Sequence, residues 1–427
     1  MTAVATGLPD ASGYTLLPGG RVLHPDGYTV AAATAALGAS GVPANTTRGR
    51  FSRMGAFVTW CRENGRLHSD AGALADYAAH LAALHHPAET ITTYVSTIIG
   101  QLAAARPAVL VLPSELVLIR GIVAARAHAE AQDDDGQGDA LQAAECSRAD
   151  LLAMLATLDR TTVAGVRDAL ALILAWHMAG RASEPGTLRL RDVAEVTVEY
   201  PDPDGGAPLT VAGLTLTLRL SKTNPYGLTA DRIQLLESGD AACPVAAWRA
   251  WAAVLDANRI TSGPLLRRVR HNRITTAGRP PKDPARAGGF GDRAVRNLIA
   301  RCARIARLVR ALEPAEVELL STRVEREHLA TVEDPAARDA HRAELRLRRR
   351  ALRRTLPRWS GHSMRRGRVR HLQHTGAPVH IIERQCRYAR GSRALARYLD
   401  PLIAWADHPD RPGRTAPSGP RIVHTRT

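Results

Sequence analysis

The residues with the clearest chemical potential lie towards the end of this chain. His362 and Arg365 are three residues apart, so both would project from one face of a helix, while Arg366 would point elsewhere. Tyr398 follows on a second helix-like segment, 392–399. A tyrosine hydroxyl can attack a phosphodiester and form a covalent phosphotyrosine, which conserves the energy of the broken bond for rejoining. With a pKa of about 10, the phenol is a weak nucleophile unless cations lie close to it.

Two residues earlier in the chain, Arg181 and Lys222, extend this set. Arg181 and Arg365 could bind the non-bridging oxygens of a phosphodiester by forked hydrogen bonds, a task that metal ions perform in many phosphoryl-transfer enzymes. A lysine ammonium can give a proton to the leaving oxygen, whereas a guanidinium effectively cannot. Lys222 and Lys282 are the only lysines of this arginine-rich chain, so Lys222 at a predicted hairpin turn indicates either selection for proton donation or chance placement.

The order and spacing of these groups resemble the active site of the tyrosine recombinase (phage integrase) family. The family's Arg-x-x-Glu motif corresponds to Arg181-Ala-Ser-Glu184, which follows an apolar stretch. Its hairpin lysine corresponds to Lys222, and its His-x-x-Arg motif corresponds to His362-Ser-Met-Arg365. The resemblance implies that Glu184 is a buried structural partner and that the two motif arginines clamp the phosphate.

The same resemblance assigns roles near the nucleophile. It implies that Tyr398 is the nucleophile and that His362 is a general acid or base beside it. Family members carry His or Trp about nine residues before the nucleophile. Here Tyr388 occupies the corresponding stretch, one residue further away, and its hydroxyl can also donate a hydrogen bond to a phosphate.

The surrounding chain is predicted to be mainly α-helical with a small antiparallel β-sheet, an α+β fold of two domains. Apolar residues at helical spacing predict four short helices in 45–130, similar to the helical DNA-binding domain that precedes the catalytic domain in the family. Residues 1–44, rich in Gly, Pro, Ala and Thr, are expected to form an irregular arm. An acidic, Gly-rich linker is expected at 131–146, the catalytic domain at 147–407 and a flexible tail at 408–427.

Inside the predicted catalytic domain, 166–178 is strongly apolar and should be a central helix. Alternation of Leu with polar residues predicts a strand at 214–220, which returns after a turn as a second strand at 228–236. A charged helical insertion is expected at about 310–356, and its densest basic run is 345–354. This run is either a solvated helix face with ion pairs or a surface that follows DNA phosphates.

The charge composition of the chain indicates the kind of partner that it binds. The net charge of +16 favours a polyanion, although a GC-rich coding sequence would also enrich arginine. We expect double-stranded DNA as the partner. Members of the resembled family act as tetramers on two duplexes, which implies a homotetramer here. An apolar cluster at 401–405 could serve such an assembly by docking on a neighbouring subunit, or could pack on its own subunit.

The cysteines and the apolar runs exclude other classes of protein. The five cysteines are scattered with no C-x-x-C spacing, so neither a zinc framework nor another metal or cofactor is expected. Such a set fits a reducing cytoplasm. No apolar run approaches the roughly 20 residues of a membrane span, and no signal pattern begins the sequence. These features predict a cytoplasmic protein without membrane contact, associated with the nucleoid.

Two alternatives stay open beside a recombinase. A type IB topoisomerase uses nearly the same constellation but relaxes supercoils without a defined site, and the small helical domain at 45–130 disfavours it. The other alternative is a DNA-binding descendant that occupies sites without cutting. The irregular spacing around Tyr388 and the long insertion at 310–356 motivate this second alternative.

Overall fold

A computed structural model of the chain describes residues 15–17, 19, 21–23, 29–40, 44–105, 109–133, 141–201, 206–221, 224, 227–275 and 289–399. The fold is mainly α-helical with small antiparallel sheets, as predicted. The chain divides into two compact units. The first comprises Met1–Gln142 and Ala311–Leu356, and the second comprises Ala143–Arg310 and Pro357–Thr427.

The elements are labelled in chain order. Before residue 142 they are β1 (Thr15–Leu17), β2 (Arg21–Leu23), β3 (Thr29–Ala31), α1 (Ala32–Ser40), α2 (Ala44–Glu63), α3 (Ala73–Ala83), α4 (Ala88–Ala103) and α5 (Pro113–Ala131). Then follow α6 (Arg148–Ala156), α7 (Val163–His177), β4 (Val193–Tyr200), β5 (Leu209–Leu218), β6 (Asp231–Leu236), α8 (Pro244–Ala257), β7 (Val269–Arg270), β8 (Arg273–Ile274) and α9 (Asp292–Ile305). The last helices are α10 (Pro314–Leu320), α11 (Thr322–Thr331), α12 (Pro335–Thr355), α13 (Gly361–His374), α14 (Val379–Gln385) and α15 (Arg393–Ala396).

The first unit has a core built from α2 to α5. Apolar side chains at helical spacing turn inward; on α4 these are Ile91, Val95, Ile98 and Leu102. Within the predicted irregular arm, the described residues form the antiparallel sheet β1–β2–β3 and helix α1. The prediction of an irregular arm is therefore wrong for these residues. Its strands are three residues long, which is too short to leave a periodic signal in the sequence.

The charged insertion is helical, but it belongs to the first unit rather than to the second, in which the sequence analysis had placed it. Arg346 on α12 donates to the carbonyl oxygen of Leu84, and Asp339 lies 3.6 Å from Nδ1 of His80. Arg349 pairs with Glu325 on α11. These side chains fix α12 to α11, to α3 and to the turn that follows α3. At these positions the basic run forms internal contacts, as expected of a helix with ion pairs.

The second unit is organised around α7, which is buried on all sides for most of its length, as the 166–178 prediction required. The antiparallel sheet β4–β5–β6 and helices α8, α9 and α13 pack on this core. The backbone NH groups of Ala144 and Cys146 donate to the carbonyl oxygens of Arg358 and Ser363, at 2.8 and 3.1 Å. Residues 143–146 are therefore part of this unit and not of the linker predicted at 131–146.

The predicted hairpin is present as β5 and β6, with Leu218 opposite Asp231. The buried leucines of β5 face the core and alternate with partly exposed threonines, as the sequence pattern requires. Strand β4, which the sequence analysis did not predict, pairs with β5 along its whole length.

Candidate active site

Helix α13 carries His362 and Arg365 in its first turns. The backbone NH of Ser360 donates to Oγ of Ser363 at 2.9 Å, which closes the N-terminus of the helix. His362 is exposed, whereas Arg365 is only 4% exposed. Arg366 donates from Nη1 to the carbonyl oxygen of Ala143 at 3.1 Å, which confirms that it points away from the Arg365 face.

Two glycines allow α13 to lie closely against two neighbouring segments, the one that carries Arg181 and the one that contains Cys146. A Cβ atom at Gly361 would lie 2.5 Å from the Cβ of Ala182, the residue after Arg181. A Cβ atom at Gly367 would lie 1.7 Å from the carbonyl oxygen of Cys146. Real Cβ atoms do not approach other heavy atoms this closely, so both contacts need glycine. The close approach at Gly361 brings the Arg-x-x-Glu segment to the start of the helix with His362.

Tyr398 follows α15, and its side chain returns to α13. The hydroxyl oxygen of Tyr398 lies 3.2 Å from Nδ1 of His362, within hydrogen-bond distance. Ser392 caps α15, and the NH of Tyr398 donates to the carbonyl oxygen of Leu395 at 2.8 Å. Leu395 is buried with Val369 in a small apolar cluster against which Tyr398 packs. The local fold therefore holds the phenol beside the imidazole.

The guanidinium of Arg365 is oriented by the chain after α14. Nε donates to the hydroxyl oxygen of Tyr388 at 2.5 Å, and one terminal nitrogen donates to the carbonyl oxygen of Cys386 at 3.1 Å. The Arg365 Cζ atom also lies 4.2 Å from the centre of the Tyr388 ring. These contacts leave Arg365 little rotational freedom, as a preorganised phosphate ligand requires.

Tyr388 contacts Arg365 and also lies near the other tyrosine of the site, with its ring centre 6.3 Å from that of Tyr398. Burial raises the pKa of the Tyr388 hydroxyl, while the adjacent Arg365 lowers it. The pKa remains above its usual value, so the hydroxyl keeps its proton at neutral pH. While it accepts from Arg365, its own proton is available for another acceptor. Donation to a phosphate, as the sequence analysis predicts, stays a prediction.

Arg181 begins a tight turn after α7, where Ala179 has a positive φ of 45°. Its backbone NH donates to Oε2 of Glu184 at 3.0 Å, and its Nη1 lies 3.2 Å from Oε1 of the same carboxylate. Glu184 is 1% exposed and the Arg181 side chain is 31% exposed. The pairing fits the expected buried partner, and it leaves the Arg181 side chain partly accessible from solvent.

Arg387, which no sequence motif indicated, forms a second ion pair with Glu184. Arg387 directly precedes Tyr388 and has a positive φ of 57°. Because 203 residues separate the two partners, no spacing rule could connect them. A physical argument could have indicated it. A buried carboxylate whose neighbouring arginine is partly exposed to solvent needs a second cation to compensate its charge.

Lys222 lies outside the described residues. The described residues on either side of it, Ser221 and Asn224, exchange two backbone hydrogen bonds of 3.1 and 3.2 Å. The side-chain nitrogen of Asn224 also donates to the carbonyl oxygens of Arg219 and Thr229. The role of Lys222 as a proton donor stays a prediction, as does the docking of the 401–405 cluster, which also lies outside the described residues.

Five of the predicted site residues lie in the second unit: Arg181, His362, Arg365, Tyr388 and Tyr398. Tyr398 and Tyr388 contact His362 and Arg365 of α13, and Arg181 pairs with Glu184. Such a set offers a hydroxyl nucleophile, an imidazole beside it and two guanidinium groups that suit a tetrahedral oxyanion.

Among the described residues, no three or more His, Cys, Asp or Glu side chains gather as metal ligands would. In the same part of the chain, no helix combines the length and apolar character that crossing a bilayer needs. Comparison with protein-family models and with curated proteins found no match to this chain.

Proposed function

We propose that this protein is a site-specific DNA recombinase or integrase that cuts and rejoins DNA strands through a covalent 3′-phosphotyrosine intermediate. The observation that carries the proposal is the 3.2 Å approach of Nδ1 of His362 to the hydroxyl of Tyr398. An imidazole at this distance can accept the phenolic proton as the oxygen attacks phosphorus. Arg365, held on the same helix, supports the proposal as a ligand for the phosphate under attack.

Cleavage begins when the Tyr398 oxygen attacks the phosphorus of a phosphodiester. A bond forms between this oxygen and phosphorus, the bond from phosphorus to the 5′ oxygen breaks, and the strand end that carries the 3′ phosphate stays on the enzyme. The phenolic proton passes to His362. Arg365 and Arg181 stabilise the negative charge that grows on the non-bridging oxygens, so the arginines do what metal ions do elsewhere.

The leaving 5′ oxygen needs a proton, and Lys222 is the proposed donor because an ammonium can release one. Rejoining reverses the sequence of events. A 5′ hydroxyl returns a proton to Lys222, its oxygen attacks the phosphotyrosine, and the Tyr398 oxygen leaves with a proton returned by His362. The number of phosphoester bonds is conserved, so no high-energy cofactor is consumed.

Double-stranded DNA is the proposed substrate, consistent with a net charge of +16. One site of this kind cuts one strand, so exchange between two duplexes needs several copies, and we propose a homotetramer on two DNA sites. A cytoplasmic, nucleoid-associated protein of a mobile element would meet such substrates. Integration, excision and resolution all use this chemistry.

The test is a covalent-adduct assay. A supercoiled plasmid carrying the DNA that flanks this gene is incubated with the wild-type protein or with Tyr398→Phe, denatured with detergent, and assayed for DNA bound to protein. Adduct with the wild type and none with the variant supports the proposal. An undiminished adduct with the variant, or none with the wild type, contradicts it. Relaxation of plasmids without the flanking DNA would favour a topoisomerase, and binding without cleavage would favour a non-catalytic descendant.

A further inference from the structure

The carboxylate of Glu184 stands between two cations that come from distant parts of the chain. Oε1 receives Nη1 of Arg181 at 3.2 Å. Oε2 receives the backbone NH of Arg181 at 3.0 Å and also pairs with the guanidinium of Arg387. All these groups belong to the second unit. The cluster therefore holds one negative and two positive charges, with the carboxylate at its centre.

The two arginines differ in their access to solvent. The Arg387 side chain is 11% exposed, against 31% for Arg181, while Glu184 is 1% exposed. A buried carboxylate is costly without a cation to pair with it. Arg387, the less exposed of the two arginines, supplies such a cation to Glu184. Arg181 is consequently the member of the cluster that a ligand from solvent can engage.

Arg387 is also joined directly to the residue that orients the other clamp. Tyr388, the next residue, accepts from Nε of Arg365 at 2.5 Å and carries that guanidinium over its ring. The φ of 57° at Arg387 is unusual for a residue with a side chain and depends on the surrounding contacts. The ion pair with Glu184 is a contact that fixes this conformation, and thereby the direction in which Tyr388 points.

We propose that Arg387 is a positioning residue that couples the two phosphate-binding arginines, Arg181 through Glu184 and Arg365 through Tyr388. This inference rests on the proposed function. When a phosphate binds Arg181, the guanidinium must turn part of its hydrogen bonding from Glu184 to the phosphate oxygens. Arg387 remains on the carboxylate and keeps it neutralised. Without Arg387, the buried Glu184 has Arg181 as its remaining partner in this cluster and competes with the substrate for it.

The test separates clamping of charge from general damage to the fold. The substrate is a duplex with the cleavage position mapped in the adduct assay, made once with the natural phosphate and once with a methylphosphonate there. The methylphosphonate lacks the negative charge that the arginines bind, so the ratio of the two cleavage rates reports on the clamp. Arg387→Gln should slow cleavage of the phosphate about 10-fold, as loss of a supporting residue commonly does, and slow the methylphosphonate much less.

Three further variants make the result specific. Arg387→Lys keeps the charge and should give a ratio between the wild-type value and that of Arg387→Gln. Glu184→Gln combined with Arg387→Gln removes both charges and should return the ratio towards the wild-type value. Arg384→Gln, on the exposed face of α14, is the matched control and should leave the ratio unchanged.

Several outcomes overturn the inference. An unchanged rate with Arg387→Gln does so, as does an equal slowing of both substrates, which would mark a merely structural residue. If Arg387→Gln does not fold, the double variant decides, because a ratio that stays about 10-fold below wild type shows that the arginine does not act through Glu184. Failure of the wild type to form any adduct would instead remove the proposed function, and this inference with it.

Discussion

Nδ1 of His362 lies 3.2 Å from the hydroxyl oxygen of Tyr398, although 36 residues separate the two along the chain. The contact depends on the cap of α13, on the glycine contacts that seat this helix and on the apolar cluster beneath Tyr398. A phenol held beside an imidazole can give its proton to that imidazole as the phenolic oxygen attacks.

The Tyr388 hydroxyl should support cleavage without being the nucleophile. In Tyr388→Phe the ring remains over Arg365, but Nε of Arg365 loses its acceptor. We expect cleavage about 10-fold slower, close to the loss of one hydrogen bond to a charged group. The rate is measured on a nicked duplex from which the short released fragment, the one with the new 5′ hydroxyl, diffuses away after the cut. A variant as inactive as Tyr398→Phe would show that Tyr388 does more than orient the arginine.

The fork of Arg365 should matter as much as its charge. Lysine at this position cannot hold the Tyr388 hydroxyl, the Cys386 carbonyl and a phosphate at once. Arg365→Lys should therefore lower the cleavage rate about 100-fold or more, as the loss of a preorganised oxyanion ligand does. Arg366→Lys, one residue further along α13, is the control and should stay within a few-fold of wild type. Equal effects of the two substitutions would contradict the assignment.

Lys222 should act by giving a proton to the leaving oxygen. Lys222→Arg keeps the charge but removes the transferable proton, so cleavage should slow severely while DNA binding persists. A substrate with sulfur in place of the 5′ bridging oxygen releases a thiol, whose pKa is about 8.5 and which needs no such donor. Lys222→Arg should cleave this substrate at close to the wild-type rate. A defect of the same size on both substrates would rule out proton donation.

His177 should make the second unit less stable in acid. Burial, reinforced by Arg368 and Arg148, lowers its pKa from 6.5 to about 3, and its Nε2 lies 3.1 Å from the Ala242 carbonyl oxygen. The imidazole stays neutral in the folded state but takes up a proton below pH 6.5 when the chain unfolds. The contribution of this imidazole to the free energy of unfolding is therefore fully present above pH 6.5. It is lost progressively as the pH drops from there towards 3.

The difference is measurable by urea unfolding followed by tryptophan fluorescence at pH 7.5 and pH 5. Between these values wild type should lose about 2 kcal/mol more of its free energy of unfolding than His177→Gln, whose amide can still donate to Ala242. Exposed His380→Gln is the control and should follow the wild type. Identical pH dependence of wild type and His177→Gln would show that this imidazole is not the acid-sensitive group.

Long periodic elements could be predicted from the sequence because their burial pattern repeats. Helix α7 and the β5–β6 hairpin are the clearest cases. Strands β1 to β3 could not be predicted, since three residues span too little of any period. Strand β4 left a weak signal because none of its residues is buried and Ala194-Glu195 interrupts the alternation of valines with polar residues.

The parts that escaped prediction are those fixed by long-range contacts. A charged helix such as α12 is easily recognised in the sequence. Which of the two units it belongs to depends on contacts with residues far away in the chain, such as Leu84 and His80. The same holds for Arg387, whose importance appears only when Glu184 is seen beside it. Motif spacing predicted His362 and Arg365 on one helix, because that relationship is local.

The most direct test of the account is the identity of the residue bonded to DNA. Trypsin cleaves after arginine, and both candidate tyrosines follow one, so the trapped adduct would yield either the peptide 398–414 or the peptide 388–390. After nuclease digestion, mass spectrometry should find the 3′ nucleotide remnant on Tyr398 at the start of the longer peptide. A remnant on Tyr388, or on a residue other than tyrosine, would contradict the account.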